Sequence, residues 1–305
     1  MRLLNASGCL DALASPDVAR SFDAFVTKTV TPLPRQGNEP VRIAETAAGM
    51  LNAIGLANPG LEQFLADHLP RLAELGIPIW VSVGGFSAAD YETMCRALDE
   101  REEVAVIELN LSCPNVDEVP ENVGEVVAAT RAATSKPLYA KLSPAVVDVA
   151  RTARAAAAAG ADGLSLVNTI RGLALDERTL RPVLARGAGG LSGPALRPIA
   201  LAAVYACYRA TGLPLVGMGG VAGGRDALDL LAAGARDVAV GTALFADPAA
   251  ASRIRTELAA ELRARGFVNA DNALGAAHRR DSATLDQNSR VAAEKLLHIG
   301  ANIAG

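Results

Sequence analysis

Eight short runs rich in strand-forming residues recur along the chain: LLNAS (3–7), AFVTKTV (24–30), IPIWVSV (77–83), VAVIELN (104–110), PLYAKLS (137–143), GLSLVNT (163–169), LPLVGMG (213–219) and DVAVGTA (237–243). Most are separated by Ala-, Leu- and Glu-rich segments of helical length. Examples are PGLEQFLADHLPRLAELG (59–76), SAADYETMCRALDE (87–100), AVVDVARTARAAAAAG (145–160) and GPALRPIALAAVYACYRATG (193–212). Strands alternating with helices imply parallel strands joined by crossover helices, and eight such units close into a barrel. The expected fold class is therefore α/β: a (β/α)8 barrel forming a single domain over residues 1–278, followed by an extension, 279–305, that matches no pattern. An open doubly wound sheet also alternates strand and helix. Its usual signature, G-x-G-x-x-G after the first strand, is not met by NASGCLDALAS (5–15).

Half of the 305 residues are hydrophobic, enough for a sizeable core. The net charge is -4, and Arg and Lys are dispersed rather than clustered, which points away from nucleic acid and toward a small-molecule partner. Cys9, Cys95, Cys113 and Cys207 lie far apart, without the spacing that binds zinc or an iron–sulfur cluster, so no metal is expected. The amino terminus MRLLNASGCLDALASP carries one Arg and too short an apolar run for a signal peptide. No uninterrupted apolar stretch has the roughly 18 residues of a membrane span. A soluble, cytoplasmic protein with no membrane partner is expected.

In such a barrel the active site lies at the carboxyl ends of the strands. Those ends carry Asn5, Ser7 and Gly8; Lys28 and Thr29; Ser82; Asn110, Ser112, Cys113 and Asn115; Lys141 and Ser143; Asn168 and Thr169; Gly217, Gly219 and Gly220; and Gly241 and Thr242. Each alone reads as a solvated loop residue, but a merely filled core predicts no such concentration at one end. GMGG (217–220) and GTA (241–243) offer backbone N–H groups just before helices, which suits a phosphate. Lys28 and Lys141 face the barrel mouth, where an ammonium is costly to desolvate unless an anion compensates it. Either could form a Schiff base or neutralise charge developing on a cofactor. Asn52, Asn110, Asn115 and Asn168 both donate and accept hydrogen bonds, which suits a flat amide-bearing ligand and equally a sugar phosphate.

NASG (5–8), VTKTVT (26–31), PRQGN (34–38), GMLNAIGLANPG (49–60), NLSCPN (110–115), KLSP (141–144), VNT (167–169), GGLSGPA (189–195), GMGGV (217–221) and GTA (241–243) occur in the order of the class 1 dihydroorotate dehydrogenases. The chain resembles that family over roughly residues 5 to 245, most closely its class 1B. The resemblance implies an FMN-containing barrel that oxidises dihydroorotate to orotate in pyrimidine synthesis. Cys113 would be the general base, taking a proton from ring carbon 5 as hydride leaves carbon 6. A thiol with an ordinary pKa of about 8.5 is a usable base at mildly alkaline pH. Ser7, Lys28, Thr29, Ser82, Asn110, Lys141, Val167, Gly193, Gly219, Gly220, Gly241 and Thr242 would hold FMN, with Lys141 opposite the charge of the reduced ring. Lys28, Asn52, Ala53, Ile54, Gly55, Leu56, Asn110, Asn115, Asn168 and Thr169 would surround the substrate. A separate subunit carrying FAD and an iron–sulfur cluster would pass electrons to NAD, and the catalytic core would be a homodimer.

The chain also departs from the family. Ser82 stands where an asparagine is usual, so one flavin contact would be shortened or replaced by water. VDEVPENVGEV after Cys113 is shorter than the usual lid, and with the first strand starting at residue 3 the family's preceding hairpin is not expected. Four alternatives remain at this level: a fumarate-using class 1A-like oxidase, another flavin-dependent pyrimidine oxidoreductase, a Schiff-base lyase using Lys141, and a non-catalytic relative that binds flavin or a partner only.

Overall fold

All eight expected strands form, and they pair side by side in the order that closes a cylinder. In the computed structural model, which describes residues 1–111 and 123–279, twelve strands are present among the described residues: β1 (Leu3–Asn5), β2 (Phe25–Val26), β3 (Ile43–Thr46), β4 (Gly49–Asn52), β5 (Ile79–Val83), β6 (Val104–Asn110), β7 (Leu138–Leu142), β8 (Gly163–Leu166), β9 (Ile170–Gly172), β10 (Gly189–Ser192), β11 (Leu215–Met218) and β12 (Asp237–Val240). Eight of these form one sheet in the order β1-β12-β11-β8-β7-β6-β5-β2. Every pairing in it is parallel. A parallel bridge between Leu4 and Ala24 joins the two ends of the row.

That last seam is the thinnest, and a side chain reinforces it. Asn5, fully buried, accepts from the Val26 N–H at 2.8 Å and donates to the Val26 carbonyl at 2.8 Å. Its amide thus stands in for two ladder hydrogen bonds. Replacing Asn5 by Ala leaves both Val26 groups buried without partners, at about 1–3 kcal/mol each. A lowered thermal midpoint is expected, and a melting curve unchanged from the parent protein would contradict this role.

The strands are buried on both faces, as parallel barrel strands must be. Side chains facing inward, including Leu4, Val26, Trp80, Val106, Tyr139, Val216 and Met218, fill the lower interior. Trp80 and Tyr139 touch at 4.7 Å between ring centroids. Gly163 makes room for Tyr139, because a Cβ there would sit 2.3 Å from its ring. Arg2 lies over Trp80 and is held by Asp237 at 2.6 Å and 3.1 Å. Outward-facing residues pack against the surrounding helices in a second, larger apolar layer.

The helices begin and end where the sequence supplies caps. Ser87 and Asp90 form a reciprocal capping box before Ala88–Asp99, and Asp148 caps Val149–Ala158 through the Arg151 N–H. Gly212, with a φ of 68°, ends Arg197–Thr211 in the left-handed conformation that glycine adopts without strain. The expected helix over 59–76 forms as Leu61–Gln63 and Leu69–Ala73 joined by a π-helical segment, Phe64–His68.

A second sheet was not expected. The strands β3, β4, β10 and β9 pair antiparallel in that order and form a wall beside the barrel mouth. The loop after Leu111 and the segment from residue 280 onward lie outside the described residues. With them go Ser112, Cys113, Asn115, the shortened loop and nearly all of the expected extension 279–305.

Candidate functional site

The carboxyl ends of the barrel strands and the antiparallel wall enclose a cavity of about 540 Å³, within the range of roughly 300–1,000 Å³ typical of small-molecule sites. Strand ends bring Ser7, Lys28, Thr29, Asn110, Lys141, Val167, Asn168 and Thr169 to it. The wall brings Asn52, Ile54, Gly55 and Leu56, and the glycine turns bring Gly193, Gly219, Gly220, Gly241 and Thr242.

Two expected residues lie behind the surface. Ser82 is fully buried beneath Thr29, with its hydroxyl 3.0 Å from the Thr29 hydroxyl. Its N–H donates to the Thr27 hydroxyl at 3.1 Å. Ser82 therefore supports Thr29 rather than facing the cavity. Ala53 packs with Leu51 and Leu184 on the far side of the wall. Strand alternation explains this, since Asn52 faces the cavity and its neighbour must turn away.

The polar residues form a connected chain. Asn168 Nδ2 donates to Asn110 Oδ1 at 3.0 Å, and Asn110 Nδ2 donates to the Thr29 hydroxyl at 3.1 Å. Thr29 in turn meets Ser82, and Ser7 donates to the Thr27 carbonyl at 2.9 Å. Asn168 Oδ1 accepts from the Thr169 N–H at 2.9 Å. Each amide is thereby fixed in orientation while retaining capacity for a ligand, because an amide group offers two N–H donors and an oxygen with two lone pairs.

The three glycine turns pack on one another. A Cβ at Gly220 would lie 2.9 Å from the Gly193 carbonyl oxygen, and the Thr242 hydroxyl donates to Ser192 Oγ at 2.8 Å. Gly193, Gly219 and Gly220 have φ values of 92°, 120° and 75°, which L side chains rarely adopt. The turn after β11 is anchored from outside, where Asp226 accepts from the Ala222 and Gly223 N–H groups at 2.8 Å and 2.9 Å. Rigid backbone amides with no side chains over them suit an anionic oxygen cluster.

Lys28 lies across Gly8, where a Cβ would meet its Cδ at 2.9 Å. Lys141 and Glu108 are both buried and pair at 3.6 Å. Glu108 in turn accepts from the Ser165 hydroxyl at 2.7 Å. Sequence reasoning missed Glu108, because one acidic residue in an apolar run gives no sign of which face it occupies. It also passed over Cys9, Ile43, Met50, Phe245, Asp247 and Arg253, all on the cavity surface. Burial pushes the Cys9 thiol above its ordinary value, while Lys141 and Lys28 pull it the other way.

The remaining described thiols are structural. Burial pushes both Cys95 and Cys207 up to about 12. The thiolate is the nucleophile, so neither should be alkylated by iodoacetamide at pH 8 in the folded protein, while both react in denaturant. Peptide mass spectrometry checks this, and labelling of either in the folded state at a free-thiol rate would contradict it.

Among the described residues no group of three or more His, Cys, Asp or Glu side chains is placed to hold a metal ion. No helix among them is long and apolar enough to cross a membrane.

The family model for dihydroorotate dehydrogenase matches residues 2–262. A protein of Desulforudis audaxviator, named dihydroorotate dehydrogenase B (NAD(+)), catalytic subunit, is 46% identical over 263 residues, covering 84% of this chain and 86% of its own length. The protein of that name from Geobacillus kaustophilus is 40% identical over 285 residues, covering 90% of each chain. Among solved structures, dihydroorotate dehydrogenase of Eimeria tenella in complex with ferulenol superposes with a TM-score of 0.76 at 23% identity, covering 91% of this chain and 85% of that one. That likeness concerns the fold.

Proposed function

This chain belongs to the dihydroorotate dehydrogenase family, and from that premise we propose that it oxidises dihydroorotate to orotate in pyrimidine biosynthesis, as the catalytic subunit of an NAD-linked enzyme. The observation that carries this reading is the single cavity in which cradle glycines, two lysines and oriented asparagines meet.

The residues present fit FMN. The turns at Gly193, Gly219–Gly220 and Gly241–Thr242 suit its phosphate, because they offer backbone amides with no side chain over them, on turns held tightly from behind by Ala200 and Arg197. Ser7, Thr29, Asn110, Lys141 and Val167 would hold the ring and its side chain. When bound, FMN supplies the acceptor for hydride from ring carbon 6 of the substrate.

Everything else falls to the chain. Cys113, outside the described residues, is assigned by its place in NLSCPN, three residues after the cavity residue Asn110. It would take the carbon 5 proton, which is acidified by the neighbouring carbonyl. Lys141 would place positive charge where negative charge accumulates on reduction. Lys28 would meet the substrate carboxylate, while Asn52, Asn110, Asn115, Asn168 and Thr169 would pair with the amide edges of the ring. The apolar side chains Ile43, Met50, Ile54 and Leu56 narrow the water-accessible volume over it. The Glu108 counter-charge disfavours a Schiff-base role for Lys141, which would need the neutral amine.

Electrons would leave through a separate subunit carrying FAD and an iron–sulfur cluster, and two copies of the catalytic chain would form the core, in the cytoplasm. The barrel domain would span 1–278 and the extension 279–305. The test is an absorption spectrum of the purified chain before and after anaerobic addition of dihydroorotate. A flavin spectrum that bleaches is expected. A colourless protein, or a flavin that stays oxidised, would overturn the proposal, and rapid turnover of the isolated chain with fumarate would replace the NAD-linked assignment.

A further inference from the structure

Glu108 is a buried charge that the chemistry above leaves without a task. It is 1% exposed and shares the inward face of β6 with Val106 and Asn110, one step below the end of the strand. Removing a carboxylate from water costs several kcal/mol even after relaxation. Its surroundings recover only part of that cost. One oxygen accepts from Ser165 at 2.7 Å, while the other, Oε1, accepts no hydrogen bond among the described residues and lies 3.6 Å from Lys141 Nζ.

At that separation the attraction is Coulombic rather than a directed hydrogen bond. Lys141 lines the cavity and Glu108 does not. The carboxylate therefore balances the ammonium from below while the ammonium faces the ligand space. Two other ionisable groups near Lys141, Lys28 and Cys9, do not supply this balance. Lys28 lines the same cavity and repels a second ammonium, and the Cys9 thiol, reached by both lysines, is pushed toward its neutral form by burial. Ser165, on β8, carries no charge. Glu108 is a buried anion that favours a charged Lys141, 3.6 Å away.

We propose that Glu108, clamped by Ser165, is a positioning residue that keeps Lys141 as an ammonium ion at the cavity floor. The proposal rests on the reading of Lys141 as the cation opposite the reduced flavin, yet it can be tested without flavin chemistry.

The chain has only four lysines, Lys28, Lys136, Lys141 and Lys295, so protein labelled with 13C at lysine Cε gives a sparse spectrum in which Lys141→Met identifies its signal. The full chain is titrated as purified and again after removal of bound flavin. The titration of the Lys141 signal in the parent is the reference. In Glu108→Gln it should titrate about one to three pH units lower, the range set by one opposite charge at this distance. Glu108→Asp should fall between. The holoenzyme carrying Glu108→Gln should then lose turnover as pH rises through the lowered value, with KM for dihydroorotate unchanged.

An identical titration in parent and Glu108→Gln would overturn the proposal. So would a parent signal titrating near neutrality, an outcome that needs no variant to fold. If the chain takes up no flavin, the titration still decides the role of Glu108, and the failure falls on the functional assignment alone.

Discussion

Replacing Cys113 by Ala is expected to leave the protein coloured and able to bind orotate, while flavin reduction by dihydroorotate slows by about a hundredfold to ten-thousandfold, the usual contribution of a positioned general base. The physical ground is the separation of tasks. In the proposed reading the glycine turns, Lys141 and the asparagine chain serve binding, and the proton from carbon is assigned to Cys113 alone. Stopped-flow absorbance under anaerobic conditions reads the reduction rate directly, and orotate binding is read from the perturbed flavin spectrum. A variant that reduces its flavin at the parent rate would remove Cys113 from the mechanism. One that has lost orotate binding as well would make the cysteine loop part of the binding surface instead.

Gly220→Ala is expected to weaken FMN binding about tenfold to a hundredfold, the loss of one hydrogen bond to a charged group at roughly 1.5–3 kcal/mol. Gly220 has a φ of 75°, and a Cβ there would meet Arg197 Cβ at 2.7 Å, the Gly193 carbonyl oxygen at 2.9 Å and the Arg197 N at 3.0 Å. Two of those three contacts are backbone atoms, so the turn must move as a whole, carrying its amides away from the anion. Gly212→Ala is the control. Its φ of 68° imposes a similar local strain, but nothing lies within 4 Å of the added Cβ, and it ends a helix remote from the cavity. Fluorescence titration of the flavin-free proteins should show weakened binding for the first variant and parent-like binding for the second. Equal affinities in all three would dissociate the Gly193/Gly220 contact from the phosphate site.

The barrel was legible because its strands are buried on both faces, so each reads as a dense apolar run such as IPIWVSV or VAVIELN. The antiparallel wall was not. β3 alternates exposed and half-buried residues, and β10 begins with two glycines that no propensity assigns to a strand. Gly190 is there for space, since a Cβ would lie 2.1 Å from the Thr169 hydroxyl. That contact joins residues distant in sequence and leaves no local trace.

For the site, polar residues at strand ends were legible by position, and most converge on one cavity. Ser82 and Ala53 show the limit of that approach. Position along a strand is readable, but facing direction near its end depends on twist and on which neighbour occupies the surface. Glu108 shows the opposite limit. It stands two residues before Asn110, inside a run chosen for its apolar character, and its importance appears only when Lys141 and Ser165 arrive from β7 and β8.

The central claim is geometric: one cavity holds the flavin phosphate at the Gly219–Gly220 and Gly241–Thr242 turns and the substrate ring between the flavin and Cys113. A crystal structure of the chain with FMN and orotate tests it most directly. The expected result has the phosphate on those backbone amides, Lys141 Nζ against the flavin ring, and the Cys113 sulfur facing carbon 5 from the side opposite the flavin. Orotate bound elsewhere, or a Cys113 sulfur pointing away from its ring, would contradict it.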